Sequence, residues 1–185
     1  MACPRHLVNV AMELELLLIR AAAAGDADAF TRIVAAYHRD MTRVAFTIVG
    51  DANGADDAVQ SAWAIAWRQL GSHREDASLR AWLLKITANE ARQAVRRSSR
   101  RSVREIPVDE GVAGYPSDHA DVPDRLDLAG ALARLHVDDR ALIALRYGAD
   151  LDSNDIARVL GGTPGSVRVR LHRLLRRLRE DLDHD

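Results

Sequence analysis

Between residues 21 and 104 the apolar side chains return every three or four positions and never alternate, which commits this stretch to helices. Glycine and asparagine interrupt the pattern at Gly25, at Gly50 to Gly54 and at Gly71, so the spacing predicts several helices rather than one. In "DAFTRIVAAYHRDMTRVAFTIVG" the stripe is Phe30, Ile33, Val34, Tyr37, Met41, Val44 and Ile48, closed by Gly50. A second helix is expected from about Ala55 to Leu70 and a third from about Leu79 to Arg101. No segment of the chain carries a strand pattern, and the expected fold class is all-α.

Residues 105 to 124, "EIPVDEGVAGYPSDHADVPD", hold three of the five prolines and no sustained period, as a flexible linker does. The chain then divides into an N-terminal extension (1–20), a first helical unit (21–104), an acidic linker (105–124) and a second helical unit (125–185). A length of 185 residues with 48% hydrophobic content supports one ordinary domain or two small ones. Cys3 is the single cysteine, which excludes a disulfide framework and fits a reducing compartment, the cytoplasm by default. "LELLLIRAAAA" is broken by Glu15 and Arg20 and is too short for a membrane anchor, and the first eleven residues lack a signal-peptide layout. Met12 is an alternative start.

Net charge is only -1, but its distribution is uneven. Residues 20 to 95 carry nine basic and nine acidic side chains, 96 to 104 five arginines and no acid, and 105 to 127 one arginine against seven acids. Arg168 to Arg179 then places six arginines without one acid. Two basic patches are thus separated by an acidic stretch. That 25 of the 26 basic residues are arginine, Lys85 being the exception, follows equally from base composition and carries no functional weight.

The second patch sits in a recognisable local plan. Asp152 or Ser153 is placed to cap a short helix whose Ile156, Val159 and Leu160 share a face, and Gly161 to close it. Thr163 and Pro164 open another helix, because proline at the first position lacks only an amide that would be orphaned anyway. Two helices across a glycine turn make a helix-turn-helix. At 100° per residue, Val167, Leu171, Leu174, Leu175, Leu178 and Leu182 face inward, while Ser166, Val169, His172, Arg173 and Arg176 face outward, flanked by Arg168, Arg170, Arg177 and Arg179. Arginines on such a face suit guanine edges and phosphates, and Val169 suits a thymine methyl. A solvated amphipathic helix is the plainer reading, but such helices mix signs.

In the first unit, "DDAVQSAWAIAWRQL" sets Asp56 and Gln60, and Asp57 and Ser61, four apart as a polar ridge beside Val59, Trp63 and Trp67. Acid-base or metal chemistry there would need a third group that no spacing supplies, and a Cys3 and His6 pair is likewise too few for a metal site. Trp63, Trp67 and Trp82 read as core, with stacking on unpaired bases as the alternative. Lys85, Asn89, Arg92 and Arg96 share one helical face that continues into "RRSSRR".

With "AAAGDADAF", "DDAVQSAWAIAWRQL", "SLRAWLLKITAN" and "IARVLGGTPGSVRVRLHRLLRRL" in this order, residues 21 to 182 resemble the extracytoplasmic-function sigma factors of the bacterial sigma-70 family. The resemblance implies a region 2 helical bundle and a region 4 helix-turn-helix, no enzymatic activity and no cofactor. It implies RNA polymerase core and promoter DNA as partners, admits an anti-sigma protein, and involves no small-molecule substrate or membrane insertion. Asp56, Asp57, Gln60 and Ser61 would dock on core polymerase. Arg80, Lys85, Asn89, Arg92 and Arg96 would hold the opened -10 element, with the loop from Gly71 to Leu79. Arg168, Val169, His172 and Arg173 would enter the -35 major groove, with Arg170 and Arg176 nearer phosphates and Ser166 also among the -35 contacts. Ser61 stands where the family often has glutamate, Ala58 where it has leucine, Leu79 where it has phenylalanine, and Val169 where small polar residues are commoner. A self-standing helix-turn-helix regulator is the alternative, distinguished by sequence-specific duplex binding without polymerase.

Overall fold

The computed structural model describes residues 4–73, 78–102 and 129–182, and every described element is helical. Helix α1 is Pro4–Ala23, α2 Ala27–Val49, α3 Ala52–Gln69 and α4 Leu79–Ser102, with a 3-10 turn at Leu70–Ser72. After a helical run at 129–134 come α5 (Val137–Ile143), a π-helical turn (Ala144–Gly148), α6 (Ser153–Leu160) and α7 (Pro164–Leu182). The expected all-α class is observed. The linker at 105–124 and Cys3 lie outside the described residues.

Helix boundaries follow local chemistry. Asp26 accepts from the amides of Asp28 and Ala29 at 2.9 and 3.0 Å, satisfying two orphan donors of α2. Gly50 ends α2 at φ 99°, a left-handed conformation that a side chain would strain. Asp51 accepts from the Gly54 amide at 2.7 Å and starts α3. The α2 stripe packs as its spacing predicts: Ile33, Met41, Val44 and Ile48 are buried, with Phe30 and Tyr37 half-buried against the core. Tyr37 also donates to Glu15 of α1, and burial followed by that bond raises the phenol well above its ordinary range. The tryptophans divide. Trp63 and Trp82 are half-buried core residues, whereas Trp67 is 42% exposed, its ring edge-on to Phe30.

The second unit does not stand apart from the first, as the sequence reading expects of modules on a loose linker. Helix α2 packs on α5 and the π turn, α4 packs on α5 and α6, and one apolar core runs from Ile19 to Leu178. Polar ties cross the same seam. Arg43 donates to the Gly148 carbonyl at 3.3 Å, Arg140 to the Val49 carbonyl at 3.4 Å, and Arg92 to Asp138 at 3.2 Å. Arg140 thus places its guanidinium at the negative end of the α2 dipole. Burial lowers its pKa from the ordinary arginine value, and its Nε has no hydrogen-bond partner among the described residues. Periodicity identifies which face of a helix is apolar, but not that α2 and α4 each serve two neighbours.

Candidate nucleic-acid interface

Helix α7 begins at a turn that only glycine adopts without strain. Gly161 and Gly162 have φ of 85° and 105°, and a Cβ on Gly162 would lie 3.1 Å from the Ser166 hydroxyl. That hydroxyl is in use: Ser166 Oγ donates to the Thr163 carbonyl at 2.7 Å and accepts from the Thr163 amide at 3.1 Å. Thr163 Oγ1 in turn accepts from the Ser166 amide at 3.1 Å, the cap expected of threonine before Pro164. Upstream, Asp152 rather than Ser153 caps α6, accepting from the amides of Asn154 and Asp155 at 2.8 Å each. Those amide bonds, the one from Asp155 first, hold the Asp152 carboxyl below its ordinary pKa.

The inward face of α7 is as its spacing predicts, with Val167, Leu174 and Leu178 buried and Leu171 and Leu175 half-buried; the side chain of Leu182 lies outside the described residues. The outward face is also as predicted. Ser166, Arg168, Val169, His172, Arg173 and Arg176 are all exposed, Val169 to 51%. Among the described residues Arg168 and Arg173 form no ion pair, while Arg176 lies 3.7 Å from Glu180 one turn on. One flank differs from the acid-free surface that the sequence implies. Arg170 and Arg177 both reach Asp139 of α5, at 2.8 and 3.2 Å, and the carboxylate they share is only 14% exposed.

The first unit's basic face is more heavily engaged. Arg80 gives two hydrogen bonds, at 2.8 and 2.6 Å, to one oxygen of Asp40. Arg92 donates to Asn89 at 2.5 Å and to Asp138 at 3.2 Å, and Arg96 lies 3.6 Å from the same Asp138 oxygen. Lys85 is exposed. On α3 the ridge of Asp56, Asp57, Gln60 and Ser61 is exposed in full, opposite the buried Ala55, Ala58, Val59, Ala62 and Ala66. No group of three metal-ligating side chains occurs among the described residues, and no described helix is long and apolar enough to cross a membrane.

Comparison with known proteins identifies the family of the chain. The family description Sigma-70 region 2 matches residues 33–101, and Sigma-70, region 4 matches residues 125–178. The chain is 32% identical to the ECF RNA polymerase sigma factor SigM of Mycobacterium tuberculosis over 161 residues, covering 87% of this chain and 81% of that one. The chain belongs to the extracytoplasmic-function sigma factors. SigL of the same organism is 31% identical, over 87% of this chain and 93% of its own. Two solved structures share the fold at 26% identity: CnrH in complex with the cytosolic domain of CnrY, with a TM-score of 0.69 over 91% of this chain and 97% of that one, and the sigma factor RpoE in complex with the anti-sigma factor NepR from Bartonella quintana, with a TM-score of 0.66 over 96% and 98%.

This sigma factor therefore has a region 2 bundle built from α2, α3 and α4 and a region 4 helix-turn-helix built from α6 and α7. The sequence reading missed Asp138 and Asp139, two adjacent carboxylates that touch arginines of α4 and of α7. Their only local signal is their position in the first turn of α5, where the helix dipole already accounts for acids.

Proposed function

We propose that this sigma factor reads its promoter through two separate faces and docks on core polymerase through a third, working by binding alone in the cytoplasm. The -35 element is read by α7, with Arg173 on a guanine edge, Arg168, Val169 and His172 beside it in the groove, and Arg170 and Arg176 toward phosphates. Ser166 orients the turn through Thr163 and presents its position to the backbone. The opened -10 strand lies along α4, held by Arg80, Lys85, Asn89, Arg92 and Arg96, and the α3 ridge of Asp56, Asp57, Gln60 and Ser61 meets the polymerase clamp. An anti-sigma protein covering these faces is in keeping with the complexes that CnrH and RpoE form.

The observation that supports the reading most is the exposure of Val169, His172 and Arg173 above a helix that glycine, threonine and proline fix at its start. The alternative is an autonomous regulator whose first unit senses a ligand or dimerises, and the match of that unit to Sigma-70 region 2 favours the sigma factor over it. Run-off transcription with purified core over a promoter library tests the assignment. Replacing Arg173 by Ala is expected to cost about 1–3 kcal/mol and to relax preference at one -35 base pair, whereas Arg176→Ala weakens all promoters alike. Equal loss on every promoter for Arg173→Ala removes it as a reader. Duplex binding of full specificity without core would instead favour the autonomous regulator.

A further inference from the structure

Asp138 and Asp139 are consecutive, yet they face different units. Asp138 points across the seam to α4, 3.2 Å from Arg92 and 3.6 Å from Arg96, while Asp139 stays within its own unit on Arg170 and Arg177. Arg92, Arg96 and Arg170 are among the residues proposed above for DNA, and Arg177 flanks the outward face of α7. An aspartate oxygen held between two guanidinium groups occupies the place of a phosphate oxygen, since arginine recognises both through the same fork. Arg92, which also donates to Asn89, is 18% exposed, and Arg96 on the same carboxylate oxygen is 57% exposed.

We propose that Asp138 is an inhibitory latch: as a carboxylate surrogate for a DNA phosphate, it ties the second unit to Arg92 and Arg96 and keeps these two arginines from the -10 strand until the units separate. The latch rests on the proposed role of α4 in DNA binding. Its geometry makes the two states exclusive, because a nucleic-acid backbone reaching Arg92 must take the position that Asp138 fills. Ion pairs this open to solvent are individually weak, so Asp138 acts with the ties from Arg140 to Val49 and from Arg43 to Gly148. A partner that draws the units apart frees both arginines at once.

The test uses the full chain with dyes on cysteines introduced at the exposed positions Ala35 and Asp181, in a Cys3→Ser background, and a fluorescent mixed-sequence single strand as probe. Asp138→Asn is expected to lengthen the inter-dye distance and to tighten binding of the single strand about fivefold or more without core, with a steeper salt dependence as two further cations reach phosphates. Arg140→Ala opens the same seam without touching α4 and is expected to act in the same direction, which covers the case in which one variant fails to fold. Arg92→Ala with Arg96→Ala abolishes the gain. An unchanged distance in both Asp138→Asn and Arg140→Ala overturns the latch while leaving the α4 reading in place. Opening without any gain in binding, with the Arg92 and Arg96 replacements also silent, overturns the α4 reading and the inhibitory role with it.

Discussion

Helices α4 and α7 are similar in length and both rich in arginine, yet they present their charge in opposite ways. On α7, Arg168 and Arg173 stand clear of any carboxylate among the described residues, and the helix's acidic contacts lie on one flank at Asp139 and one turn on at Glu180. On α4, Arg80 is tied to Asp40 and Arg92 to Asp138. The number of arginines in a segment therefore does not measure the cationic surface it offers. What decides is which acids the fold brings alongside, and those come from α2 and α5, far away in sequence.

The contrast can be broken at several levels. The largest effect is expected from Leu174→Ala, which empties a fully buried site behind the exposed face of α7. It should destabilise the second unit by about 2–5 kcal/mol in chemical denaturation, and -35 binding should fall with it. Arg168→Ala, in contrast, should leave denaturation unchanged. Next is Asp139→Asn, which removes the shared acceptor of Arg170 and Arg177. A loss of about 1 kcal/mol in the same assay is expected, because both arginines remain half in water. If stability is unaffected, the two arginines are not struts for α7.

Val169 gives an effect of similar or smaller size. Val169→Ser should reduce -35 binding by about 1 kcal/mol or less, and only where thymine, not uracil, occupies the contacted position. Identical behaviour on thymine and uracil promoters would show that the exposed valine reads nothing. The smallest effect is pH-dependent. Asp152 has a depressed pKa in the fold, so its contribution is present above the ordinary carboxylate range, about pH 4, and is lost as pH falls through the lower folded value. Helicity of the second unit should decline in that window, and Asp152→Ala should flatten the decline.

Much of this was legible in the residues because it depends on local rules. The α2 stripe, the Asp152 and Thr163 caps, the Gly161 turn and the inward leucines of α7 each follow from spacing and capping chemistry within a few positions. The seam between the units was not legible. Arg43, Asp138 and Arg140 look like ordinary surface charges on amphipathic helices, and nothing near them in sequence points to Gly148, Arg92 or Val49. Ser166 shows a second limit. Its outward position was predictable, but the engagement of its hydroxyl by Thr163 depends on the turn's actual path.

Arg140 also has a consequence for how firmly the halves are joined. A guanidinium remains charged at any physiological pH, and here it is half withdrawn from solvent with one nitrogen lacking a partner among the described residues. Parting the halves returns that cation to water, where it is better accommodated than against one carbonyl. A joint that hides such a group favours reversible contact over permanent union.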